Sequence, residues 1–188
     1  MSDAQPREEI EKTRSWLDGF VIALGLCPFA AAPFNADRIC FRVCDSDRPD
    51  DVYQAFLGLL YEMLTSDPQE KETSILIVSQ ALSSFDDYLD AVADLEQVVV
   101  EAGAEGMVQI ASFHPAYRFD GVPADDPANF TNRSPYPMFH LIREEGLAAA
   151  LESYPDPDAI PQRNIERLRA LGIGGIRELL ESIGVSGG

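Results

Sequence analysis

Only two histidines, His114 and His140, occur in the 188-residue chain, and they flank a segment rich in arginine, asparagine and proline. Cys27, in Leu-Cys-Pro-Phe, is the third group able to do chemistry. A thiol beside an imidazole can act as a nucleophile, because the ring takes the proton and stabilises the thiolate. The same three side chains could instead hold a single divalent metal ion, since one thiolate and two imidazoles make the three protein ligands of an open catalytic site. Neither chemistry has local spacing behind it: the chain has no His-Glu-x-x-His and no paired Cys-x-x-Cys. The alternative is packing, with Cys27 a small buried hydrophobe among Leu24, Leu26 and Phe29 and each histidine tying down a loop.

A second constellation, Thr-Asn-Arg-Ser-Pro-Tyr-Pro at 131–137, contains Asn132 and Arg133. Ser134 followed by Pro135 reads as a helix start, and helix starts favour anions. On a helix over about 136–152, His140, Arg143 and Glu144 share one face. Arg133 and Arg143 could then clamp a small anionic substrate bidentately, with Asn132 assisting. In so acidic a chain the arginines could equally be ion-pair partners of Asp120, Asp125 or Asp126. Asp125 and Asp126 could also bind a hard cation, and the aromatic loop with Phe113, Tyr117, Phe119 and Phe130 could form a partner surface.

These groups must be positioned by a regular framework, and apolar periodicity supplies one. Residues 7–24 carry Ile10, Trp16, Leu17, Phe20, Val21 and Leu24 at spacings of three and four, an amphipathic helix ended by Gly25 and Pro28. Residues 38–44 alternate as a half-buried strand near an edge. A helix follows to about Thr65, and Ser74–Ser79 is apolar enough to be a central strand covered on both faces. Ser84 caps a helix to about Gly103, and 107–113 form a third strand. Further helices are expected at 161–171 and 173–183. Strand-helix-strand-helix-strand with long connections predicts a small, mainly parallel three-to-four-stranded α/β sheet with flanking helices and a helical C-terminal third, in a single domain over 1–188. A ferredoxin-like α+β sheet is the rival, with a fourth strand hidden in a loop. The carboxyl ends of the parallel strands are then the expected rim of the pocket, and His114 directly follows the third strand.

Composition narrows the functional classes. A formal charge of −18, from 32 acidic against 14 basic residues, disfavours nucleic acid and anionic membrane as partners. Three cysteines are too few for a disulfide framework, and Cys40 and Cys44 would lie roughly 13 Å apart on a strand, beyond bridging reach. With no apolar core after a basic start, the N-terminus does not read as a secretory signal, so a cytoplasmic location is the expectation. The uncharged run 19–36 is broken by Pro28 and Pro33 and reads as a helix end plus a packed loop, not a membrane span.

Three segments carry a resemblance to a known family: Leu-Gly-Leu-Cys-Pro-Phe-Ala at 24–30, Ser-Phe-His-Pro-Ala-Tyr-Arg-Phe at 112–119 and Thr-Asn-Arg-Ser-Pro-Tyr-Pro-Met-Phe-His-Leu-Ile-Arg-Glu at 131–144. A fourth, Ile-Pro-Gln-Arg-Asn-Ile-Glu-Arg-Leu-Arg at 160–169, is less distinctive. Together they resemble a bacterial family of unknown function, the domain of unknown function numbered 1415, over almost the whole chain. The resemblance implies a soluble bacterial protein and brings no reaction or cofactor. The residues themselves point to a small-molecule enzyme using Cys27, His114 and His140, by metal-assisted hydrolysis or thiol chemistry, with a non-catalytic binding module for an anion or nucleotide, or an interaction protein, as the alternatives.

Overall fold

The computed structural model describes residues 7–185. Residues 1–6, part of the segment read as lacking a secretory signal, lie outside the described residues. Helix α1 (Glu8–Trp16) continues as a π-helical turn, Leu17–Ile22, and a short helix α2 (Ala31–Asn35) follows the Cys27 loop. Then come β1 (Ile39–Cys44), α3 (Pro49–Thr65), β2 (Thr73–Val78), α4 (Phe85–Glu101) and β3 (Val108–Phe113). After a 3-10 turn, Pro127–Thr131, the chain enters β4 (Met138–Arg143) and α5 (Glu144–Ser153), and a second 3-10 turn, Pro157–Ala159, leads into α6 (Ile160–Ser182). Among the described residues no helix is long and apolar enough to cross a membrane.

The four strands form one mixed α/β sheet in the order β1-β2-β4-β3. β1 and β2 are parallel, whereas β4 runs antiparallel to both β2 and β3. The sheet is therefore mixed where a mainly parallel one was expected, although β1, β2 and β3 do share one direction. The difference lies in residues 138–143, read from sequence as part of a helix. A central strand buried on both faces shows no alternation, so Met-Phe-His-Leu-Ile-Arg lacks the period-two signal and can be told from a helix only by its shortness and its flanking prolines. Ser134 accordingly caps no helix; its hydroxyl donates to the Tyr136 carbonyl at 2.6 Å.

Two cores lie on the two sides of the sheet. Leu76, Val78, Phe139 and Leu141 face Val52, Phe56, Leu60, Tyr88 and Leu95 of α3 and α4. Ile39, Ile75, Ile77 and Met138 face Trp16, Phe20, Leu168 and Ile176 of α1, its π-helical continuation and α6. Every residue of β2 is buried, as its apolar composition requires of a central strand. α6 is two helices in one line of sequence: Gly172, at φ 68°, breaks it where the two separate helices were expected.

Candidate functional site

The Cys27 loop is held by α6. Gly25 takes a left-handed φ of 61° to turn the chain out of the π-helical segment. Asn164, 5% exposed, donates its side-chain N–H to the Leu26 carbonyl at 2.8 Å, and the Arg167 guanidinium donates to the Leu24 carbonyl. The 160–169 segment thus positions the cysteine. The nearby backbone N–H groups of Phe29 and Ala30, the latter donating to the Cys27 carbonyl at 3.2 Å, favour the thiolate, but burial outweighs them and pushes the thiol above its ordinary pKa. Cys27, like Cys40 and Cys44, is a free thiol.

His140 lies in mid-strand on β4, opposite Ile75 of β2 and Ala111 of β3. Strand geometry alternates side chains, so His140 shares a face with Met138 and Ile142 and not with Arg143. Its Nε2 is buried without a hydrogen-bond partner, and burial pushes the imidazole down to about 4, so it is neutral at physiological pH. One register step along the sheet, Thr73 pairs with Ile142. The Thr73 and His140 side chains are therefore diagonal neighbours on the same face, within about 7–8 Å by strand geometry. Thr73 is 7% exposed, and its Oγ1 also lacks a partner.

Cys27, Thr73 and His140 line one cavity of about 310 Å³. Its walls come from the Cys27–Pro33 loop, the starts of β1 and β2, the end of β4 and the inner side of α5, and most of its lining is apolar, including Leu17, Phe29, Ile39 and Leu147. Glu72, Arg143, Ser153 and Tyr154 add the remaining polar groups. Glu72 is paired with Arg38 at 3.1 Å. The Arg143 guanidinium donates to the Lys71 and Ser66 carbonyls at 3.1 Å each and to the Ser66 hydroxyl at 3.2 Å. Thr73, Glu72 and Tyr154 carried no sequence signal: they lie at element edges, where neither periodicity nor spacing marks a function.

His114 sits elsewhere. It follows β3 at the carboxyl rim, as expected, but packs on the opposite face of the sheet, its ring 5.0 Å from Tyr88 and 5.3 Å from Phe85. Nδ1 accepts the Ala116 N–H at 3.0 Å, which makes Nε2 the protonated nitrogen that donates to the Leu82 carbonyl at 3.0 Å. Burial holds its pKa below the ordinary histidine value. Both His114 ring nitrogens are thus engaged by backbone, and the residue does not line the cavity of Cys27 and His140. Among the described residues no group of three or more His, Cys, Asp or Glu is placed to hold a metal ion.

The expected anion clamp is likewise spread along β4. Arg143 ends the strand and Arg133 precedes it; the strand alone spans about 17 Å at roughly 3.3 Å per residue. Arg133 donates to the Tyr117 carbonyl at 3.1 Å and the Ala124 carbonyl at 2.6 Å, and lies over the Phe130 ring at 4.8 Å. Asn132 donates to the Ser112 carbonyl at 3.0 Å. Asp126 caps the 3-10 turn and takes a two-pronged contact from Arg169, at 3.1 and 2.7 Å. These residues shape the 114–133 loop.

Further cavities open at the carboxyl rim around Phe85, Asp86 and Arg118. No residue lining them has a buried side-chain polar atom left without a hydrogen-bond partner, whereas the cavity at the amino ends of β1 and β2 has three: the Thr73 hydroxyl, the His140 imidazole and Glu72 Oε2, the last facing Arg38 as an ion pair at 3.1 Å. The antiparallel entry of β4 carries His140 and Ile142 toward the amino ends of its neighbours, so the cavity that His140 lines lies at the rim opposite the expected one.

A family model described as "Protein of unknown function (DUF1415)" matches residues 8–178. Neither the curated proteins nor the solved structures contain a match to the chain.

Proposed function

Since the chain belongs to the DUF1415 family, whose description carries no reaction, we propose from the site alone that this is a small-molecule enzyme acting through Cys27 on a mostly apolar substrate held in the amino-rim cavity. One observation carries the reading: Cys27 and an unpartnered, uncharged His140, from distant parts of the sequence, line the same apolar cavity. A buried polar atom left unsatisfied costs about 1–3 kcal/mol. Evolution tolerates that cost where a ligand supplies the missing partner, and the size of the cavity is that of a small-molecule site.

The chemistry follows from the two pKa directions. A raised thiol and a lowered imidazole make the resting pair neutral, not a thiolate–imidazolium pair. The His140 Nε2 has no hydrogen-bond partner, so the Cys27 thiol does not donate to it at rest. With a substrate carbonyl between them, the thiol proton passes to the neutral ring as the sulfur adds to the carbonyl carbon, and the opened C=O bond leaves an oxyanion that takes the proton back from the ring, the nearby Phe29 and Ala30 N–H groups favouring the sulfur anion as it forms. Thiol chemistry is favoured over a metal centre because His114, the third candidate ligand, is fixed to the Leu82 and Ala116 backbone on the other face.

The test compares alkylation of Cys27 by chloroacetamide and by its N-hexyl derivative, each rate divided by that for free cysteine. Binding of the hexyl tail should accelerate Cys27 labelling by about tenfold or more through proximity, with Cys40 showing no such gain. Equal normalised rates for the two reagents would overturn the proposal.

A further inference from the structure

We infer that the molecule bound in this cavity carries an uncharged polar end that both donates and accepts, a hydroxyl or a primary amide, seated between Thr73 Oγ1 and His140 Nε2. The inference rests on the reading of the cavity as a small-molecule site and adds the class of ligand. The two atoms belong to diagonal neighbours on one face of the sheet, both are buried, and neither has a partner within the protein. A threonine hydroxyl can donate and accept, and one imidazole nitrogen does one or the other according to tautomer. A hydroxyl or amide complements both at once.

Charge decides against the alternatives. An anion would meet Glu72 in the lining, and the guanidinium nearest to it, Arg143, is engaged by two carbonyls and a hydroxyl. His140, neutral at physiological pH, offers it no positive charge. A cation would meet Glu72, whose Oε2 makes no hydrogen bond but whose charge is already balanced by the Arg38 guanidinium at 3.1 Å. Bringing either ion into a largely apolar cavity costs more than its surroundings return. The anionic substrate expected from Arg133 and Arg143 is therefore replaced by a neutral one.

The experiment uses the intact protein and four eight-carbon probes: octanamide, octanol, octanoate and octylamine. Binding is read from protection of Cys27 against chloroacetamide and from the imidazole NMR signals of His140. Octanamide and octanol should bind at least about tenfold more tightly than the two ions, and Thr73→Val should weaken them about fivefold, the loss of one ordinary hydrogen bond, while leaving octanoate unchanged. Thr73→Ala replaces the valine variant if that one does not fold. Octanoate or octylamine binding as tightly as the amide would overturn the ligand class and leave the cavity reading standing. Octanamide unaffected by either Thr73 substitution would overturn the seat, the hydroxyl then being satisfied by water. Failure of all four probes to protect Cys27 or move the His140 signals would overturn the reading of the cavity itself.

Discussion

His114 and His140 lie on opposite faces of a single sheet, the first packed at a tilt against Tyr88 of α4 and the second on the side of Trp16 and Met138. They cannot serve one centre, and their chemistry diverges accordingly. His114 has both ring nitrogens engaged by backbone. His140 has a free nitrogen beside a cavity that also holds the Cys27 thiol. Of the pair, it is His140 on which the proposed reading rests.

Acid should destabilise the protein through these two rings. Both have folded pKa values below the ordinary histidine value, His140 at about 4 against 6.5. The unfolded chain then binds more protons than the folded one between these values, so stability is complete above about pH 6.5 and falls as pH drops toward 4. His140 alone accounts for a loss on the order of 3 kcal/mol at the acid end. Urea unfolding of the protein and of His140→Gln across this range should show a shallower acid slope in the variant.

Asn164→Ala should cost about 1–3 kcal/mol, because the Leu26 carbonyl would be left without its buried donor. Loosening that loop frees the neighbouring sulfur. Cys27 should therefore react faster with chloroacetamide in the variant, measured by intact mass, and lose the advantage conferred by the hexyl tail.

Arg133→Ala should release the 117–124 loop, whose Tyr117 and Ala124 carbonyls it holds, and speed amide exchange there. Tail-dependent labelling of Cys27 should be unchanged, since Arg133 does not line that cavity. A fall in labelling would assign Arg133 to the site after all.

Helix α5 is the loosest wall of the cavity: none of its residues is fully buried, and it presents only the side with Leu147 and Ala150. Filling the cavity by N-hexyl alkylation of Cys27 should slow amide exchange in Glu144–Ser153 several-fold, with α3 unaffected.

Much of the framework is written in local patterns. The buried run of β2, the alternation of β1 and the Ser84 cap of α4 each follow from one segment's own side chains, and all three elements form where those patterns place them. β4 escapes because its burial on both faces erases alternation. That single element then misplaces the rest: on a helix His140 and Arg143 share a face, and on a strand they do not, although both reach the same cavity. The candidate groups were legible as residue types, since Cys27 and His140 do share a cavity. Which groups meet was not, because the meeting depends on an antiparallel strand inserted between β2 and β3, a choice made by long-range pairing. Thr73 is invisible for the same reason: its place in the cavity comes from pairing with Ile142 of β4.

The joint presence of Cys27 and His140 in one cavity is tested most directly by NMR of the two imidazoles, assigned with His114→Gln and His140→Gln, before and after attaching the N-hexyl acetamide group to Cys27. The His140 ring signals should move and those of His114 should stay in place. Shifts at His114 with none at His140, or at neither ring, would contradict the shared site.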